Sequence, residues 1–171
     1  MDFIAELGAS SLGSRLKRLG DLLYQDYAKL YEVAGVPFKP IWFLILNYLS
    51  TRESGSITEI AAALHVTHPY VNQIAGDLIK RNILEAFADP NDKRRRMLRL
   101  TEGGRDLVDR ARCVWAAIRR AQEQIIAESE SDVLGILARL EEAVYQRGVF
   151  ERATEGADGT ILLEIRGKTT N

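Results

Sequence analysis

SITEIAAALHVTHPYVNQIAGDLIKRNILEAFADPNDKRRRMLRLT, running from Ser56 to Thr101, is the stretch on which the reading of this chain turns. Ser56 is followed three residues later by Glu59, a pair that can satisfy two orphan amides reciprocally at a helix start, so Ser56 is expected to be an N-cap. Ile57, Ile60, Ala61 and Leu64 then recur at helical spacing and predict about two turns with one buried side. His65-Val66 is the turn. Thr67 can cap a second helix from about His68, and Pro69 fits there because amides of the first turn need no intrahelical partner. On that helix Val71, Ile74, Leu78 and Ile79 make the apolar face, which leaves His68, Tyr70, Asn72, Gln73, Gly76 and Lys80 outward. Imidazole, aromatic and amide groups near a helix N-terminus suit base edges in a major groove, since Asn and Gln can pair bidentately with adenine. A polar outer face is also what any solvated helix presents, so the two helices alone do not decide the matter.

The following residues add to the case. Arg81-Asn82-Ile83-Leu84 ends the second helix, with Asn82 where a left-handed backbone is usual. A strand is expected over Leu84 to Ala88, then the turn formers Asp89-Pro90-Asn91-Asp92, then a return strand over Arg96 to Leu100. Lys93, Arg94, Arg95, Arg96 and Arg99 place five cations within seven residues on this hairpin. A rigid arm carrying cations can follow a phosphate backbone or enter a narrow minor groove, where the negative potential is strongest.

Ser56 to Arg105, and above all Asp89-Pro-Asn-Asp-Lys-Arg-Arg-Arg-Met-Leu-Arg-Leu-Thr-Glu-Gly-Gly104, resembles the MarR family of bacterial transcription regulators. The resemblance lies in a wing with Asp-x-Arg at its tip and a strand ending in Leu-Thr-x-x-Gly that opens a long helix, and it extends over roughly Leu16 to Arg147. It implies a homodimer on a palindromic operator, with Arg94 entering the minor groove and Asp92 orienting its guanidinium. The chain departs from the family pattern at Asn82, where Gly is general, and after Arg147. The expected DNA-contacting set is therefore Thr67, His68, Tyr70, Asn72, Gln73, Lys80, Asp92 and Arg94, with Lys93, Arg95 and Arg96 on phosphates.

Outward from this unit, the fold class expected is mainly α with a small β-hairpin wing: a winged helix-turn-helix lobe plus a helical dimerisation layer. Residues 1–50 hold a dimerisation helix and a buried support helix, 51–101 the lobe, 102–150 further dimerisation helices, and 151–171 a tail, either a short strand or disordered. The lead-in over residues 3–13 reads as an arm. From a cap at Ser14, Leu16, Leu19, Leu23, Tyr27, Leu30 and Tyr31 stripe one long helix as far as Val33. Ile41 to Leu49 is apolar almost all round and predicts a central buried helix, and Thr51 to Gly55 a polar loop. Tyr27, Tyr31, Trp42 and Phe43 are candidates to line a site for a small aromatic or lipophilic effector, although rings at helical spacing also pack as core. Thr101 can cap a helix of some 25 residues, about 37 Å long, striped by Leu107, Val108, Ala111, Trp115, Ile118, Ile125 and Ile126. Val133, Leu137, Leu140 and Val144 stripe a last helix to about Arg147. Those stripes exceed what one lobe can bury, which argues for a dimer built from Leu16–Val33, Leu107–Ile126 and Val133–Val144.

Charge placement matters more than charge total here, because the 171 residues carry a formal net charge of only −1 and 46% hydrophobic residues. One cysteine, Cys113, excludes an intrachain disulfide and a Cys-based zinc site, and beside a buried stripe it is expected to be inert. No apolar run reaches the ~18 residues of a membrane span, and Met1 to Glu6 lacks a basic n-region, so a cytoplasmic location is expected. His65 and His68 are the only histidines, no phosphate loop or nucleophile elbow is present, and Glu141 and Glu142 point in different directions on a helix. No enzyme, cofactor or metal is therefore expected. The function expected is a sequence-specific regulator binding a double-stranded operator, a homodimeric repressor released by a small molecule. The alternative is a winged-helix interaction or structural module that leaves DNA alone, and Asn72, Gln73, Lys93 and Arg94 count against it.

Overall fold

Ile45, Leu46, Ile60, Val71, Leu78 and Leu98, each with no exposed surface, come from three helices and a strand and meet in one core. In the computed structural model, which describes residues 2–89, 92 and 95–155, the elements around this core follow from the apolar spacing. They run α1 (Phe3–Glu6), α2 (Leu12–Val33), α3 (Phe43–Thr51), β1 (Gly55–Ser56), α4 (Ile57–Leu64), α5 (His68–Lys80), β2 (Leu84–Ala88), β3 (Arg96–Leu100), α6 (Glu102–Glu128), α7 (Val133–Gln146) and α8 (Val149–Thr154). Single 3-10 turns precede α2, at Gly8–Ser11, and α3, at Pro40–Trp42. Two units divide the chain at Arg119, and α6 runs from the first into the second.

The sheet differs from the expected hairpin by a third strand. Its order is β1-β3-β2, all antiparallel, with Gly55 opposite Leu98, Ser56 opposite Met97 and Ala88 opposite Arg96. The expected loop at Thr51–Gly55 thus ends in a strand that alternation cannot reveal, since two residues have no period. Ser14 is not the cap of α2, which begins at Leu12 because the preceding 3-10 turn runs straight into it. Ser11 closes that turn, its hydroxyl donating to the Gly8 carbonyl at 2.8 Å. Nor is the lead-in an open arm: Asp2 caps α1 by accepting from the Ile4 amide, and Arg18 on α2 grips both oxygens of Asp2 at 3.1 and 2.7 Å. Ile41 belongs to the 3-10 turn rather than to α3, and Ile41 and Leu44 are exposed, so the support helix has a wet side. The expected strand in the tail lies outside the described residues. No helix among the described residues is long and apolar enough to cross a membrane.

α6 is docked on the lobe through its first turns. The Thr101 hydroxyl donates to the Asn82 carbonyl at 2.7 Å and accepts from the Gly104 amide at 2.9 Å, so one side chain ends the α5–β2 connection and opens α6. Gly104 is required by close approach: a Cβ there would lie 2.1 Å from the Ile83 carbonyl oxygen. Asn82 itself has φ of 56°, the left-handed conformation expected of it.

Candidate nucleic-acid interface

The outward face of α5 is placed by the caps of two successive helices. Ser56 accepts from the Glu59 amide at 3.2 Å, and Glu59 Oε2 accepts in return from the Ser56 amide at 2.8 Å and hydroxyl at 2.9 Å. These bonds hold the Glu59 carboxyl below the usual carboxylate range, the Ser56 amide contributing most. α4 ends at His65, whose φ of 51° reverses the chain, and Thr67 caps α5 by accepting from the Tyr70 amide at 3.3 Å. Val71, Ile74, Ala75 and Leu78 are buried beneath α5, while Thr67, His68, Asn72, Gln73 and Lys80 are exposed. Tyr70 departs from its expected outward position. Its ring packs partly against the core, and burial, with a smaller contribution from Tyr24, raises its hydroxyl pKa.

A second anchor, which sequence reasoning missed, holds the far end of α5. Asp77 accepts from Arg81 Nε at 2.9 Å, from Lys39 Nζ at 3.2 Å and from the Trp42 indole nitrogen at 3.2 Å. The Arg81 and Lys39 cations also lie over the Trp42 ring, at 5.4 and 5.3 Å from its centroid. Arg81, and then Lys39, pull the Asp77 carboxyl below its ordinary value. The Asp77–Arg81 spacing of four was legible as a helix pair, but the tie to the turn at Pro40–Trp42 crosses more than thirty residues and left no local signal.

Of the basic cluster, Arg96 and Arg99 lie on β3 and Arg95 directly before it, and Arg95 and Arg99 are already engaged. Arg99 pairs with Glu85 at 2.7 Å and covers the Phe87 ring at 4.8 Å. Arg95, expected on a phosphate, turns back to Glu59, Ser56 and Asp89. Arg96 and Asp92 are exposed, and the Asp92 carbonyl accepts from the Arg95 amide at 2.9 Å. Lys93 and Arg94, and with them the expected Asp92–Arg94 pairing, lie outside the described residues.

Of the candidate effector residues, Tyr31, Trp42 and Phe43 take part in an aromatic cluster with Phe38 and Trp115. Tyr31 stacks on Phe38 at 4.7 Å, and Phe38 meets Trp42 and Trp115 edge-on, both at 5.8 Å. Phe43 meets Trp115 at 5.0 Å, while Tyr27 pairs with Tyr24 instead. Tyr31 and Trp42 are each 2% exposed, and burial pushes the Tyr31 hydroxyl up to about 12. The Trp42 ring thus meets Phe38 at an edge and the Lys39 and Arg81 cations over its plane. Among the described residues no group of His, Cys, Asp and Glu is placed to hold a metal ion.

Comparison with known proteins agrees with this architecture. Residues 36–95 match the model of the MarR family. The chain is 26% identical over 118 residues to the uncharacterised HTH-type transcriptional regulator YhbI of Bacillus subtilis (strain 168), an alignment spanning 68% of this chain and 77% of that protein. It also matches the transcriptional repressor CouR bound to a 23-mer DNA duplex, with a TM-score of 0.66 and 26% identity over 82% of this chain and 99% of the other. The S. aureus MepR–DNA complex shares the fold, with a TM-score of 0.62 at 19% identity over 79% and 97% of the two chains. Residues 36–95 thus match the MarR family model, and the capped helix pair and three-stranded sheet give this chain the winged helix-turn-helix fold of the DNA-bound repressor CouR.

Proposed function

We propose that the protein is a homodimeric repressor that reads a palindromic double-stranded operator with α5 and straddles it with the wing. The observation that carries this reading is the exposed row of Thr67, His68, Asn72 and Gln73 at the N-terminal end of a helix whose opposite face is fully buried. A helix so anchored can enter a major groove without losing its packing, and its amides match adenine. The similarity to the transcriptional repressor CouR bound to a 23-mer DNA duplex supports DNA binding. Lys80 and Arg96 suit phosphates, and Lys93 and Arg94 on the wing suit phosphate and minor groove.

Two-fold symmetry is supported by apolar surface that a single chain leaves wet. Leu12, Leu16, Leu19 and Leu22 on α2 are each between 44% and 54% exposed, and Leu134, Ile136, Leu140 and Val144 on α7 are exposed as well. Isologous pairing is the commonest way to cover such stripes. Release by a small aromatic or lipophilic effector would require the Tyr31, Trp42 and Phe43 cluster, with Tyr27 at its margin, to open.

Selection of bound sequences from randomised duplex DNA tests the reading directly. The expected product is a palindrome whose half-sites lie one helical turn apart, about 10 base pairs. Asn72→Ala and Gln73→Ala should each relax preference at particular base positions and cost ~1–3 kcal/mol. Enrichment of no sequence at all would favour a protein-interaction module instead.

A further inference from the structure

Arg95 sits at the base of the wing with acceptors from two other elements around it. Its guanidinium pairs with Glu59 Oε1 in the first turn of α4, donates to the Ser56 hydroxyl at 3.3 Å, and lies 3.8 Å from Asp89 at the end of β2. Its backbone closes the same corner, the amide donating to the Asp92 carbonyl at 2.9 Å and the carbonyl accepting from the Asp89 amide at 3.0 Å. Glu59 divides its labour between its two oxygens: Oε2 completes the α4 cap, which leaves Oε1 for Arg95. Ser56 is also a strand residue paired with Met97, so the contacts of Arg95 and the β1–β3 ladder bracket the same junction.

We infer that Arg95 is a positioning residue, a latch that sets the wing against the helix pair, and that it is not one of the phosphate contacts of the basic run. The inference rests on the DNA-binding reading above. The guanidinium already has a close carboxylate partner in Glu59 and a hydroxyl acceptor in Ser56, so swinging out to a phosphate would give up those contacts. The planar fork is what spans acceptors on separate elements, a task an ammonium on a flexible stem performs poorly.

The test is affinity against salt for Arg95→Ala, Arg95→Lys and Glu59→Gln on the selected operator, with amide exchange measured on the free proteins. Gln at position 59 still accepts from the Ser56 amide, so the α4 cap survives. A latch predicts weaker binding in all three variants, about fivefold, with the salt slope unchanged. A phosphate contact predicts the opposite pattern: Arg95→Lys retains affinity, Arg95→Ala lowers the slope by about one, and Glu59→Gln binds more tightly because a negative charge has gone. That pattern overturns the latch. Faster exchange of the Asp89 and Arg95 amides in Arg95→Lys and Glu59→Gln supports it, and unchanged exchange overturns it. Should the parent protein select no duplex, the functional reading falls while the exchange data still decide the latch.

Discussion

α2 and the first half of α6 look alike on paper and end in different surroundings. Both are amphipathic, with apolar residues every three or four positions. On α6, Gly104, Leu107, Val108, Ala111 and Val114 are buried against the lobe of their own chain, whereas on α2 Tyr31 alone is buried and the leucines from Leu12 to Leu22 stay exposed. A periodic stripe says that a helix has a partner. It does not say whether the partner is in the same chain. This divides the stripe expected over Leu107–Ile126: its first turns serve the lobe, and Ile125 is exposed.

The largest effect expected from this contrast is at the docking point of α6. Gly104→Ala would drive a Cβ into the Ile83 carbonyl, and backbone cannot yield as a side chain tip can, so stability should fall by about 4 kcal/mol in urea unfolding. A loss under about 1 kcal/mol would show that α6 is only loosely seated. Within the lobe core, Leu78→Ala should cost about 3 kcal/mol, since that side chain has no exposed surface to begin with.

On α2 the expected consequence is assembly rather than lobe unfolding. Leu19→Glu should shift the protein from a dimer towards a 19.2 kDa monomer in sedimentation, because it places a carboxylate in the surface proposed to pair. A variant that sediments like its parent would move the interface off α2. The buried end of the same helix gives a different readout. The Tyr31 hydroxyl titrates at about 12 in the folded chain against an ordinary 10.0, so the folded state holds this proton more tightly than the unfolded state. Its contribution is therefore whole below pH 10 and is lost as the pH rises through 12. Tyr31→Phe should remove that alkaline decline, and parallel pH profiles for the two proteins would place Tyr31 in water.

The smallest effect concerns the residue behind the α6 docking point. Asn82 occupies the left-handed region, where Gly is free of the Cβ penalty, so Asn82→Gly should raise stability by about 0.5 kcal/mol, partly offset by the greater freedom of Gly in the unfolded chain. A loss of more than that amount would mean that the Asn side chain makes a contact of its own.

Local chemistry determined a good deal by itself. The capping box at Ser56 and Glu59, the Thr67 cap, the start of α5 at His68, both strands of the wing and the left-handed Asn82 could all be read from residues within four or five positions of one another. Caps and turns are short-range, since the groups they satisfy belong to the same few peptide units. Distant neighbours decided the rest. The strand at Gly55–Ser56 exists because β3 offers it a ladder, and Tyr70 turns inward because the core gives its ring a place. Asp77 joins Lys39 and Trp42 only once α3 and α5 are packed, and Arg95 is drawn to a carboxylate in α4, on the far side of α5 in sequence. A side chain's charge and spacing are properties of the chain, but whether that charge faces solvent or another residue depends on which elements the core brings together.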